Sequence, residues 1–287
     1  MEEFIQNYLE LNKYNYVKIE NHEIINHIYN LYKYGIDERD TFKMEDGIID
    51  LYYGIHYEIK KNYELMKKYY LTAIEKDNCD AMNYLGLYYG KIEKDYKQMK
   101  KYYLMAIKKG NDTAMYNLGL YYLEIEKDYE LMKKYYYMAI EKGHATTMFS
   151  FGLYYGDVEK DYNLMEKYWL MAIEKGHRTA MYKLEQFYKD NNDALGLLQL
   201  YIKIDDKTKI SDILVNYCNQ KIIDREINSI LLQYLNCIDD HDLPVLFKLF
   251  KQLFNNQIDL LEAHFKYSVN GLGYEKAKQD FLKQLSS

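Results

Sequence analysis

His22, Glu23 and His27, in "HEIINH", are the residue types of a zinc-protease helix. That chemistry needs its two histidines four apart, so that both ring nitrogens leave one helical face. These two are five apart, about 140° around a helix at about 100° per residue, and the spacing predicts no shared metal. His144 and His177 stand 33 residues apart in matching contexts. One metal would have to lie about 2.0–2.1 Å from each, while matching points on stacked helices are about 8–10 Å apart. Helix-boundary residues are the expected role for both. The "KKYY" runs mix cations with aromatic rings, as nucleic-acid surfaces do. They sit beside Glu130, Glu141 and the acidic "EIEKD", however, and one tyrosine of each pair is expected to face the core. "NGLGYEKAK" carries glycines without a preceding strand or a phosphate-loop pattern, and reads as a helix break. No Ser-His-Asp, Cys-His or paired-carboxylate set can be assembled from the spacing. The expectation is a protein without catalytic residues, metal or cofactor.

The totals point the same way. The chain has 287 residues and a formal net charge of -6, which argues against nucleic acid and anionic lipid as partners. Three cysteines (Cys79, Cys218, Cys237) have no paired spacing, which suits inert thiols in a reducing compartment. "MEEFIQNYLELNKYNY" is acidic and broken by polar residues, unlike a secretory signal. No apolar run reaches membrane-spanning length, so a cytoplasmic protein is expected, and the sequon at Asn111 has no route to glycosylation. Abundant Tyr, Asn, Ile and Lys match an AT-rich genome, including those of protists, intracellular bacteria and large DNA viruses; a host cytoplasm is then one setting.

The elements behind these residues repeat. "DYELMKKYYYMAIEKG" from Asp128 has counterparts at Asn62, Asp95 and Asp161. Met82, Met115, Met148 and Met181 recur every 33 residues, as do Met66, Met99, Met132 and Met165. A fixed period of this length marks stacked units, none of which buries its apolar face alone. Each unit reads as two helices. In the second, Asp128 caps the start, and Tyr129, Met132, Tyr136 and Ala139 fall on one face. Gly143 supplies the left-handed residue that ends it, and copy one has Asp77-Asn78 there. Thirty-six tyrosines favour strand by propensity, but the helical spacing prevails. The first helix is "TAMYNLGLYYLE", with Ala114, Leu118 and Tyr122 on one face. Gly119 within it costs about 1 kcal/mol relative to alanine, and the expected reason is close approach to Ala139. "EIEKD" reads as a short connection.

Ala114, Leu118-Gly119, Tyr122, Asp128, Tyr135, Ala139 and Gly143 resemble the Sel1-like repeat, a relative of the tetratricopeptide repeat. The likeness covers roughly residues 44 to 190. There are departures: the units are shorter, the usual Gly-rich connection is charged, and the alanine pair late in the second helix is Ala-Ile. Copy one reads as three residues longer, taking Leu51 as the match of Leu87, and copy five has Glu185 in place of the glycine. The resemblance implies an all-α fold, a right-handed α-solenoid with an N-terminal helical cap (1–43), an array of about five helix pairs (44–204) and a helical C-terminal region (205–287). Two amphipathic stretches, "EFIQNYLELN" and "HEIINHIYNLYKYG", would form the cap. Five more, from "ISDILVNYCNQ" to "GYEKAKQDFLKQL", follow the linker "DDKTK".

In the tetratricopeptide relatives the first helices line a concave face that binds partner segments. Carried over by position, that face presents three ladders: Asn83, Tyr116, Phe149 and Tyr182; Leu87, Leu120 and Leu153; Tyr84, Asn117, Ser150 and Lys183. The resemblance implies a non-enzymatic adaptor for a protein or peptide segment. Two other readings stay open: an RNA-binding helical repeat of the pentatricopeptide kind, and a targeting arm for a small catalytic or regulatory domain after Ile204. Partner identity and oligomeric state are not legible.

Overall fold

Capping residues set the helix starts. In the computed structural model, Asn62, Asp95, Asp128 and Asp161 each accept a backbone N–H from the first turn of the helix that follows. These are α4 (Tyr63–Glu75), α6 (Tyr96–Lys108), α8 (Tyr129–Glu141) and α10 (Tyr162–Glu174). Each such cap satisfies one of the donors that a helix start leaves unpaired. The helix ends are as regular. Asp77, Gly110, Gly143 and Gly176 all have positive φ. The next N–H, from Asn78, Asn111, His144 or His177, returns to the carbonyl of Ala73, Ala106, Ala139 or Ala172. This is the six-to-one bond of a Schellman end. The alternate helices are α3 (Ile48–Ile59), α5 (Cys79–Tyr88), α7 (Asp112–Tyr121) and α9 (Ala145–Tyr154).

The structure describes residues 2–11, 22–35, 47–204, 206 and 209–210. All elements among them are helical, and the chain divides into two compact units, Met1–His177 and Arg178–Ser287. In the first unit α1 (Glu2–Leu11) packs on α2 (His22–Tyr34) and α2 on α3, with Ile5, Leu9, Ile28 and Leu31 buried. From there each helix packs on the next in order, α3 to α10. In the second unit α11 (Arg178–Asp190) packs on α12 (Ala194–Lys203). Glu185, in the place of the repeat glycine, is buried between Lys189 and Lys209, whose ammonium groups lie 2.6 and 3.0 Å from it. Burial pushes its carboxyl up, but these lysines and the Tyr201 hydroxyl prevail and hold it at about 2. The helices expected after "DDKTK" lie outside the described residues.

Four expectations are corrected. Gly119 does not face Ala139. A Cβ added there would meet the Tyr136 ring at 2.5 Å. Gly54, Gly86 and Gly152 meet Tyr70, Tyr103 and Trp169 in the same way. The close approach is that of the edge of a large ring to bare backbone, which leaves no room for even a methyl group. "EIEKD" is not a plain connection either. The first helices continue into π-helical turns at Tyr89–Glu93, Tyr122–Glu126 and Tyr155–Glu159. A π turn absorbs one extra residue without ending the helix. Lys94, Lys127 and Lys160 then turn left-handed and lead into the caps. Copy one has no π turn, so Gly54 stands one residue nearer to Tyr70 than Gly86 does to Tyr103. It is one residue shorter than the others, not three longer, and its glycine is Gly54. Finally, both tyrosines of each "KKYY" pair are buried. Tyr136 sets a ring edge against Gly119, while Tyr135 stacks on Tyr122 at 5.7 Å with the planes 2° apart.

Gly119→Ala should gain about 1 kcal/mol of helix propensity yet lower stability by about 1–3 kcal/mol through overpacking. Chemical denaturation of Gly119→Ala, Tyr136→Leu and the double variant checks this: the double should cost less than the two singles together, since the clash goes with the ring.

Candidate functional site

The three ladders fall on α5, α7, α9 and, in the second unit, α11. Asn83 is the rung that burial removes from the surface: it is 4 % exposed, and its Oδ1 accepts from Asn117 Nδ2 at 3.0 Å. One helix further on, the Tyr116 hydroxyl lies 3.5 Å from Ser150 Oγ. Residues of two ladders are thereby joined diagonally across neighbouring first helices. Tyr84, Leu87, Tyr116, Asn117, Leu120, Phe149, Ser150 and Leu153 are all half-buried. In the second unit Tyr182 and Lys183 are exposed, Tyr182 at 62 %.

Each aromatic rung of the first unit rests on another ring. Tyr84 stacks on Tyr70 and Tyr116 on Tyr136, at 6.1 and 5.9 Å between centroids. Phe149 lies 6.1 Å from Trp169, whose indole N–H donates to the Phe149 carbonyl at 3.2 Å. One face of each rung therefore serves the core and holds the ring in a single orientation. Two further rings belong here that the ladder reading missed. His144 meets Tyr116 at 5.5 Å, and His177 stacks on Phe149 at 4.7 Å. His144 also caps α9, so its expected place at a helix boundary holds, but spacing gave no sign that it would touch an aromatic rung. Burial lowers the pKa of both imidazoles. For His144, Asp112 opposes the shift and His177 adds to it.

The lysines of "KKYY" are engaged elsewhere. Lys67, Lys100 and Lys133 pair with Glu93, Glu126 and Glu159 of the following repeat, at 2.5, 2.8 and 3.1 Å. The same carboxylates accept from the hydroxyls of Tyr88, Tyr121 and Tyr154. The second lysines, Lys101, Lys134 and Lys167, lie over Tyr102, Tyr135 and Tyr168 at 5.1–5.7 Å. This clamp between repeats was present in the sequence as a recurring Lys, Tyr and Glu, each at the 33-residue step, but its members lie too far apart along the chain to look like a motif. Near the N-terminus, His27 is buried with its Nε2 2.9 Å from the Tyr53 hydroxyl, a core contact. No group of three or more His, Cys, Asp or Glu among the described residues could hold a metal ion. No helix among them is long and apolar enough to cross a membrane.

The clamp carboxylates sit below the usual glutamate value. The lysine hydrogen bond is the main cause at Glu93 and Glu126, and the Tyr154 hydroxyl at Glu159. A depressed folded pKa gives stability that is present above the unfolded value, about 4.3, and is lost as pH falls through the folded one. Thermal unfolding between about pH 5 and pH 2 should show this loss, reduced in Glu126→Gln and smaller at high salt.

The sequence matches no protein-family model and no curated protein. Among solved structures, a Sel1 repeat protein from Oxalobacter formigenes is similar over 72% of this chain and 92% of its own, with 21% identity and a TM-score of 0.50. A protective antigen of uropathogenic Escherichia coli, displaying an SLR fold, aligns with 99% of this chain and 62% of its own, at 16% identity and a TM-score of 0.47. An immunity protein from Pseudomonas aeruginosa aligns with 52% of this chain and 74% of its own, at 18% identity and a TM-score of 0.28. With its stacked helix pairs, the glycine under each ring and the alanine before each turn, the chain has the fold of a Sel1-like repeat protein.

Proposed function

We propose that this chain is a non-enzymatic scaffold that binds a protein or peptide segment on the face formed by its first helices. The observation that carries the reading is the state of the aromatic rungs: Tyr84, Tyr116 and Phe149 are each packed against a core ring, Tyr116 and Phe149 against a histidine as well, and all three remain partly exposed. Rings held this way lose little entropy on binding, which is what hot-spot residues require. Leu87, Leu120 and Leu153 add apolar area beside them, and Asn117 and Ser150 add polar contacts. Tyr182 and Lys183 belong to the second unit, where both are exposed. Asn83 serves by holding Asn117 rather than by touching the partner. Nucleic acid is disfavoured as that partner, because the first lysine of each "KKYY" run from α4 to α8 is already paired with a glutamate. A cytoplasmic setting and an adaptor role belong to the same proposal.

The double variant Tyr116→Ala with Phe149→Ala tests it. Each lost stack is worth about 0.5–1.5 kcal/mol, so the protein should stay folded with slightly reduced stability. Affinity capture with wild type and variant side by side should then show a partner held by the first and lost by the second. Loss of helicity in the variant would make the rungs core residues. Equal capture by both would overturn the assignment of this face.

A further inference from the structure

His144 differs in kind from the residues that do its work elsewhere. α5 and α7 are capped by Asn78 and Asn111, whose amide oxygens accept from Ala81 and Ala114 at 2.9 and 2.7 Å. At the same place before α9 the acceptor is an imidazole. Thr147 N–H is shared between His144 Nδ1 at 3.2 Å and the His144 carbonyl at 3.1 Å, and Thr147 Oγ1 lies 2.7 Å from the same nitrogen. A backbone N–H can only donate, so Nδ1 carries the lone pair and the ring's own proton is on Nε2. Nδ1 is then the one basic site of the ring, and it is also the cap.

We propose that His144 is an acid-released latch on α9: proton uptake occurs at the nitrogen that caps the helix, and so frees its first turn. A protonated Nδ1 can no longer accept from Thr147, and the new positive charge sits at a helix N-terminus, where the backbone dipole disfavours it. Thr147 is fully buried, so on protonation its N–H keeps only the His144 carbonyl, at 3.1 Å, and its hydroxyl must turn from donor to acceptor of the new Nδ1–H. The surrounding charges divide. Asp112 of α7 draws the cation, while His177 before α11 opposes it. Lys175, just past the end of α10, brings its ammonium group close to Gly143, next to the latch. Burial keeps the ring neutral at ordinary pH. The segment that loosens carries Phe149, with the Tyr116 ring against the latch itself. The latch does not depend on whether that face binds a partner.

The sign follows from the lowered folded pKa. Neutral His144 contributes its full stability above the unfolded value of about 6.5, and the contribution disappears as pH falls below it. His144→Asn restores the cap used by α5 and α7 and cannot titrate. Between about pH 7.5 and pH 5.5 the wild-type unfolding midpoint should fall by about 2–4 °C more than that of His144→Asn. This interval lies above the range in which the clamp glutamates titrate. Equal pH dependence in the two proteins would overturn the latch. As a second measurement, the His144 ring protons followed by NMR should titrate below about 6.5, together with faster amide exchange at Thr147. Titration at or above that value, or an unchanged Thr147 amide, would also sink it.

Discussion

The edge of an aromatic ring pressed against a glycine is the contact on which the rest of this protein depends. Tyr70, Tyr103, Tyr136 and Trp169 each cover a glycine of the paired helix, so closely that a Cβ would come within 2.3–2.7 Å of the ring. Each glycine costs its helix about 1 kcal/mol, and the buried ring more than offsets this through the apolar area it removes from water. Polar tips complicate the bargain. Tyr70 donates to Glu58 and Trp169 to the Phe149 carbonyl, whereas the Tyr136 hydroxyl is buried with no hydrogen-bond partner among the described residues. An orphaned hydroxyl of that kind costs about 1–3 kcal/mol. The middle of the array therefore accepts a polar penalty in exchange for the ring.

Once the ring fixes the separation of paired helices, the other regularities follow. The π turn takes up the one residue by which the later repeats exceed copy one, and carries the chain to a left-handed lysine and an aspartate cap. It also places Glu93, Glu126 and Glu159 where the lysine of the preceding repeat and a tyrosine of their own repeat can reach them. Each surface pair is weak alone. Repetition makes them count, because every repeat in a stacked array is held by its neighbours.

Departures from the repeat mark the places where something beyond packing is at work. His144 replaces an asparagine cap and brings a titratable ring against Tyr116. Tyr137 replaces a leucine and sets an exposed phenol 3.5 Å from the Tyr155 hydroxyl. Glu185 replaces a glycine, which leaves no room for a ring edge there, and its buried carboxylate is held by two half-exposed lysines, Lys189 and Lys209.

Much of this was legible in the chain itself. The 33-residue step, the helical spacing of Met132, Tyr136 and Ala139, the aspartate caps and the terminal glycines are local signals, each set by backbone geometry within a few residues. They determined the helix pairs, their order and their ends. Tertiary structure alone decided what the glycines face, how many tyrosines are buried and which rungs stay open, since these depend on the angle and distance between helices. Asn83 and Tyr116 occupy the same repeat position, yet one is buried beneath Asn117 and the other is half-open. The π turns were hidden for a related reason: an extra residue in a charged stretch looks like a loop until the paired helix holds both ends. Periodicity reports which side of a helix is apolar, and only packing reports how much of that side a neighbour covers.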